Sequence, residues 1–140
     1  MNPKRTFEKV IVHCSDTPDD SPTVFDVHDI RRWHKRRGWS DCGYHWVVTR
    51  AGEVQAGRPE KLIGAHCRGQ NYSSIGVCLV GREAFEKVQL ERLRDIFFRI
   101  KKDYRIDIPD WYCHNEFTTG KTCPGFSGGF LRAWLLQSIE

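Results

Sequence analysis

Three side chains in the last third of the chain have the types and spacing to do chemistry together. His114, Lys121 and Cys123 place an imidazole, a cation and a thiol on what reads as a strand end and its following loop. Imidazole nitrogen and thiolate sulfur are the side-chain donors best suited to zinc. Two donors do not make a catalytic site, and the chain offers a third in His13, which ends the apolar run Val10, Ile11, Val12. Three protein ligands leave a fourth position for water, the arrangement of a catalytic rather than a structural zinc. Singly, a strand-end histidine is more often just hydrogen-bonded and a lone cysteine is more often core. Together with the loop they favour a metal.

Other residues could assist such a site. Lys121 stays close to anything bound at Cys123 and can steady an oxyanion. Tyr44, at the start of an aromatic strand, offers a hydroxyl for orientation or proton transfer, its plainer alternative being an aromatic with a wet hydroxyl. Glu116 is the carboxylate nearest the candidate ligands, as a base or as a partner to a ligating histidine. His66 lies in the polar stretch 64–71, where Arg68 and Asn71 add donors for a ligand rich in carbonyls and carboxylates. His28, His34 and His45 have no constellation around them and read as structural or solvent-facing.

The elements that must position these groups follow from pattern. A strand is expected over 8–13, then a loop over 14–22. Asp26 is placed to cap a helix over 27–37, with Val27, Ile30, Trp33 or His34 and the stem of Arg37 inward, and Gly38 ending it. Residues 44–49 and 53–56 read as a hairpin, 57–74 as irregular, and 75–80 as a continuous apolar strand in mid-sheet. A helix over 87–103 carries Leu90, Leu93, Phe97 and Ile100 on one face. Residues 111–113 form a brief last strand, and Ser127 caps a final helix reaching Ile139. The fold class is α+β, a mixed sheet of about five strands flanked by three helices.

The whole chain bounds these readings. With 140 residues it suits one domain with a real core, and 39% hydrophobic with 29% charged residues argues against disorder. No apolar run approaches the ~20 residues that span a bilayer. The N-terminal residues lead straight into a charged strand approach with no signal-peptide core, so synthesis in a cytoplasm is expected. The six cysteines lack a paired Cys-x-x-Cys and are expected to be reduced, with Cys123 the one whose neighbours favour a thiolate. The net charge of +4 comes largely from 31–37, which reads first as a solvated helix face and second as a polyanion site; no nucleic-acid partner is expected.

Ordered along the chain, 12–15, 30–35, 38–39, 43–45, 64–66, 74–81 and 121–125 carry a resemblance to zinc-dependent N-acetylmuramoyl-L-alanine amidases of the type 2 family. The chain resembles in particular the small single-domain bacteriophage endolysins and, more distantly, the peptidoglycan recognition proteins. The resemblance implies a mixed sheet with a zinc cleft on one side. It implies His13, His114 and Cys123 as zinc ligands, Tyr44 and Lys121 as catalytic residues, and His66 and Asn71 as substrate contacts. The reaction implied is hydrolysis of the amide between the lactyl group of N-acetylmuramic acid and L-alanine of the peptidoglycan stem peptide. Trp39 and Trp46 are expected along the groove. A monomeric catalytic domain over 1–140 without a separate wall-binding module is expected, made in a bacterial host and acting on periplasmic peptidoglycan. An inactive peptidoglycan-binding module and a polyanion-binding regulator are the competing readings.

Overall fold

The structure is a computed structural model that describes residues 7–137. The expected lead-in before residue 7 and the end of the last helix at Ile139 lie outside the described residues. Five strands form one sheet in the order β3-β2-β4-β1-β5. They are β1 (Lys9–Cys14), β2 (Trp46–Val48), β3 (Val54–Ala56), β4 (Ser74–Leu79) and β5 (Trp111–Cys113). β1 lies parallel to both β4 and β5, β2 is parallel to β4, and only β3 runs antiparallel, to β2. The helices are α1 (Val27–Arg36), α2 (Lys87–Tyr104) and α3 (Gly128–Gln137). None is long and apolar enough to cross a membrane. The α+β expectation of a five-stranded mixed sheet with three helices holds.

Side-chain alternation divides the core into two layers. Val10 and Val12 of β1, with Ile75, Val77 and Leu79 of β4, face Leu93, Ile96, Phe97 and Ile100 of α2 and Leu131 and Leu135 of α3. On the opposite face Val47, Cys78 and Val80 meet Val27 and Ile30 of α1. His13, one step from Val12 in a strand buried from Val10 to Cys14, therefore lies on the α1 face. Parallel pairing sets its neighbour: Val12 is opposite Cys113, so β1 and β5 end side by side, with His13 next to His114.

Local chemistry fixes α1. Asp26 accepts from the N–H groups of His28 (2.9 Å) and Asp29 (3.4 Å), and Asp29 accepts from Asp26 N–H at 2.9 Å. This reciprocal cap leaves no ambiguity about where the helix begins. Gly38 stops it at φ +90, a conformation costly to any residue with a Cβ. On α2 the buried Gln89 donates to Val80 O (2.8 Å) and Val48 O (3.3 Å), tying the helix start to the strand ends. β2 is shorter than the expected 44–49. The backbone before it is committed elsewhere, with Ala65 N–H donating to Gly43 O and Arg58 N–H to Tyr44 O.

The expected loop 14–22 is pinned by Asp19, whose carboxylate accepts from the N–H groups of Arg82 (2.8 Å), Ala84 (3.1 Å) and Glu83 (3.2 Å). Partial burial alone would raise the Asp19 carboxyl, but these donors and the Arg50 guanidinium outweigh it and hold it below the usual carboxylate range. A lowered folded pKa gives stability that is complete above the unfolded value of ~3.9 and lost as pH falls through the folded value. Asp19→Asn is expected to cost about 1–3 kcal/mol in denaturant titrations at neutral pH. That deficit should shrink once the pH drops below ~3.9; a deficit independent of pH would refute the role assigned to the charge.

Candidate active site

The carboxyl ends of β1 and β5, the middle and end of α1 and the loop after β5 enclose a cleft of about 390 Å³. His114 and Cys123 line it, and with the buried His13 their candidate donor atoms all lie within 4.8 Å of one another. His13 is buried, and the rings of His13 and His114 stand 4.5 Å apart. Each ligand has a separate anchor. His114 opens a tight turn directly after β5. Asn115 holds Cys123 to that turn: its N–H donates to Cys123 O (2.9 Å) and its side chain to Phe126 O (2.9 Å). Cys14 N–H donates to Cys123 Sγ at 3.0 Å.

A chain of hydrogen bonds sets the protonation of His13. The Ser74 hydroxyl donates to Gln70 O at 2.7 Å, since a carbonyl only accepts. Its oxygen then accepts from His66 Nε2, 3.1 Å away. A neutral His66 protonated at Nε2 has a bare Nδ1, which accepts from His13 Nε2 at 2.8 Å. That leaves Nδ1 of His13 unprotonated, as metal ligation requires. Gly76 makes the chain possible, because a Cβ there would stand 2.6 Å from the His66 ring.

Burial, and then His66 and His114, hold His13 well below the ordinary imidazole value. Burial and Lys121 lower His114 as well. Both rings are thus neutral near pH 7, which suits a ligand. The Cys123 thiol behaves otherwise than expected from its neighbours. Its hydrogen bond with the Cys14 thiol and its burial push it up, so the Cys14 N–H is the main contact favouring a thiolate. Two imidazoles and a sulfur in a buried corner fit a zinc-type ion, whose charge ionises a coordinating thiol.

Tyr44 and Lys121 both line the cleft with His114 and Cys123, whereas His13 is buried and not part of the lining. Burial raises the Tyr44 hydroxyl well above the ordinary tyrosine value, so it acts as a donor. Its ring lies 5.1 Å from that of His13. His66 lines the cleft with its ring, but both its nitrogens are engaged as described. Asn71 is not among the lining residues. Its Oδ1 accepts from the N–H groups of His66 and Cys67 at 2.9 Å each, so it shapes the loop that presents His66. Arg68 is exposed and lies away from the lining.

Several readings change. Trp39 lines the cleft, but Trp46 packs on the opposite face, its indole donating to Glu60 at 2.9 Å. Glu116 is turned from the cleft: it accepts from Cys113 N–H (2.8 Å) and pairs with Arg132 of α3 (2.8 Å), so it braces the His114 turn and is no base. Of the two readings of His34, structural or solvent-facing, the structural one holds. His34 is buried in the cleft wall with Trp33, Nδ1 accepting from Gly43 N–H at 2.8 Å. Burial and the nearby Arg37 and Arg58 lower it to about 4. The signal for Trp33, His34 and Arg37 was their helical spacing from Ile30, which puts all of them on one side of α1.

The geometry defines a cleft with a candidate metal site on a mixed sheet, and the whole chain has known relatives. The family profile described as N-acetylmuramoyl-L-alanine amidase matches residues 3–126. The endolysin of Enterobacteria phage T3 is 36% identical over 142 aligned positions, spanning 96% of this chain and 89% of that protein. The endolysin of Escherichia phage T7 is 35% identical, spanning 94% and 87%. Among solved structures, the N-acetylmuramoyl-L-alanine amidase LysC from Clostridium intestinale superposes with a TM-score of 0.81 at 25% identity, over 98% of this chain and 89% of that one. Drosophila PGRP-LB does so at 0.73 and 30%, over 91% and 78%. The chain belongs to the N-acetylmuramoyl-L-alanine amidase family.

If the Gln70–Ser74–His66–His13 chain sets the ligand's tautomer, Ser74→Ala should weaken metal binding about tenfold, and His66→Ala by about 10- to 100-fold. Competition against a chromophoric chelator reads this directly. Unchanged affinity in both variants would dismiss the chain as packing.

Proposed function

We propose that the protein is a zinc-dependent N-acetylmuramoyl-L-alanine amidase that works as a phage endolysin, cutting the bond between the lactyl group of N-acetylmuramic acid and L-alanine. The convergence of His13, His114 and Cys123 beside a cleft that His114 and Cys123 line carries this reading. The family and its endolysin members agree with the activity.

His13, His114 and Cys123 would hold the zinc. When bound, the ion supplies Lewis-acid polarisation of the scissile carbonyl and of a water. The chain's own residues do the rest. Lys121, on the exposed rim above His114, offers a cation to the oxygen that gains charge as the carbonyl becomes tetrahedral. Tyr44 keeps its proton and donates a hydrogen bond from the cleft floor, orienting the carbonyl or the attacking water. His34 and Trp39 form the α1 wall, a neutral donor beside an aromatic face suited to a sugar or peptide edge. All these groups come from one chain, so a monomer suffices. Such an enzyme is made in the bacterial host and meets its substrate in the periplasm.

Purified Gram-negative sacculi provide the test. Free stem peptides with new N-terminal L-alanine are expected, and both a zinc chelator and Cys123→Ser should abolish them. Reducing sugar ends without free peptide would mean a glycosidase and a misread site. Lys121→Ala is expected to lower kcat by about 10²- to 10³-fold, and Tyr44→Phe by about 10²-fold, each with one zinc still bound. Loss of zinc in either variant would reassign it to metal binding.

A further inference from the structure

We propose that the outer face of α1 is a second docking surface for the wall polymer, gripping free carboxylates of stem peptides beside the one being cut. It rests on the amidase reading above. The helix has two working sides. Ile30, Trp33, His34 and Arg37 face the cleft, whereas His28, Arg31, Arg32, Lys35 and Arg36 line a shallow neighbouring concavity of about 400 Å³. No acidic or apolar side chain lines that concavity.

Ion pairing separates its cations into two groups. Arg31 is held by Asp41 at 2.7 Å and Arg32 by Asp29 at 2.5 Å. Lys35, Arg36 and Arg37 are exposed and meet no carboxylate among the described residues; Arg37 lies over the Trp39 ring at 5.6 Å. A cation in the last turn complements the helix dipole, but consecutive uncompensated ones repel each other and stabilise nothing further. Arg37 sits at the cleft and Arg36 on the outer concavity, so the positive charge runs from one to the other across a helix ~10–12 Å wide.

The chemistry selects the partner. Peptidoglycan stem peptides are acidic, and their free carboxylates repeat along every glycan strand. A strand seated in the cleft brings the next carboxylates over the rim formed by α1. Guanidinium groups match carboxylates with paired hydrogen bonds. A lipid surface fits less well, because membrane-lying helices need a free apolar face and that of α1, Val27 and Ile30, is buried against the sheet.

The test is the double reversal Lys35→Glu with Arg36→Glu, away from the cleft lining and checked for an unchanged melting temperature. Binding is read by co-sedimentation with sacculi in a Cys123→Ser background, which prevents digestion. The dissociation constant should rise about tenfold at ~0.05 M salt, and the difference should vanish by ~0.5 M. The neutral pair Lys35→Gln with Arg36→Gln should fall between. With Cys123 restored, kcat/KM on a soluble single N-acetylmuramoyl-peptide should stay within about twofold, because that substrate has no neighbouring stem. Unchanged sacculus binding overturns the proposal, as does an equal loss on the soluble substrate. Retained sacculus binding with lost affinity for duplex DNA overturns it in favour of a nucleic-acid surface. A Cys123-containing protein that releases no stem peptide refutes the amidase reading instead, and sedimentation still decides the surface.

Discussion

Parallel pairing of β1 with β5 is the constraint on which the site depends. Residues brought together there are about a hundred positions apart in the chain, and no local propensity could join them. The register of Val12 with Cys113 sets His13 beside His114. A slip of one residue would turn His13 into the α2 and α3 layer and destroy the pair. That register is held from the other layer, where Val10, Val12, Trp111 and Cys113 are all buried against α2 and α3. Hydrophobic packing on one face of the sheet thus fixes polar geometry on the other.

The cleft face then solves a problem the core face does not have, the orientation of buried polar groups. An unpartnered imidazole nitrogen in such a place is costly, and a misdirected proton would block ligation. The carbonyl of Gln70 starts a sequence of donors and acceptors that ends with a bare nitrogen on His13. Glu116 and Arg132 supply the matching brace for His114, joining its turn to α3. Asn115 does the same for Cys123. Each candidate ligand is therefore held by a different part of the fold.

Much of this was legible in the chain, and the failures have one cause. Strand and helix positions followed from apolar periodicity, and the candidate ligands and the two catalytic candidates from their chemistry and the family resemblance. What failed was the direction of side chains on or near short elements. Trp46 and Tyr44 are two residues apart and would share a face in one strand. They part because the chain enters β2 only at Trp46, having spent the backbone of 43–44 on the 57–65 loop. Asn71 and Glu116 were misjudged for a related reason. A polar side chain in a loop satisfies nearby backbone groups as readily as a ligand, and sequence spacing does not distinguish the two.

His34 shows how the electrostatics of the cleft follow from its walls. Its ring is buried between Trp39 and Tyr44, and positive charge from Arg37 and Arg58 adds to the desolvation. Protonation is disfavoured by both effects, so the α1 wall presents a neutral donor and not a second cation. His13 and His114 are kept neutral by the same means, burial first and neighbouring charge second. The cationic groups, Lys121, Arg37 and the Asp16-paired Arg82, stand at the exposed rim, where water carries their solvation. Neutral imidazoles thus lie beneath a rim that carries the exposed cations. The same separation puts the imidazole nitrogens where burial keeps them unprotonated and the cations where an anion from solution can reach them.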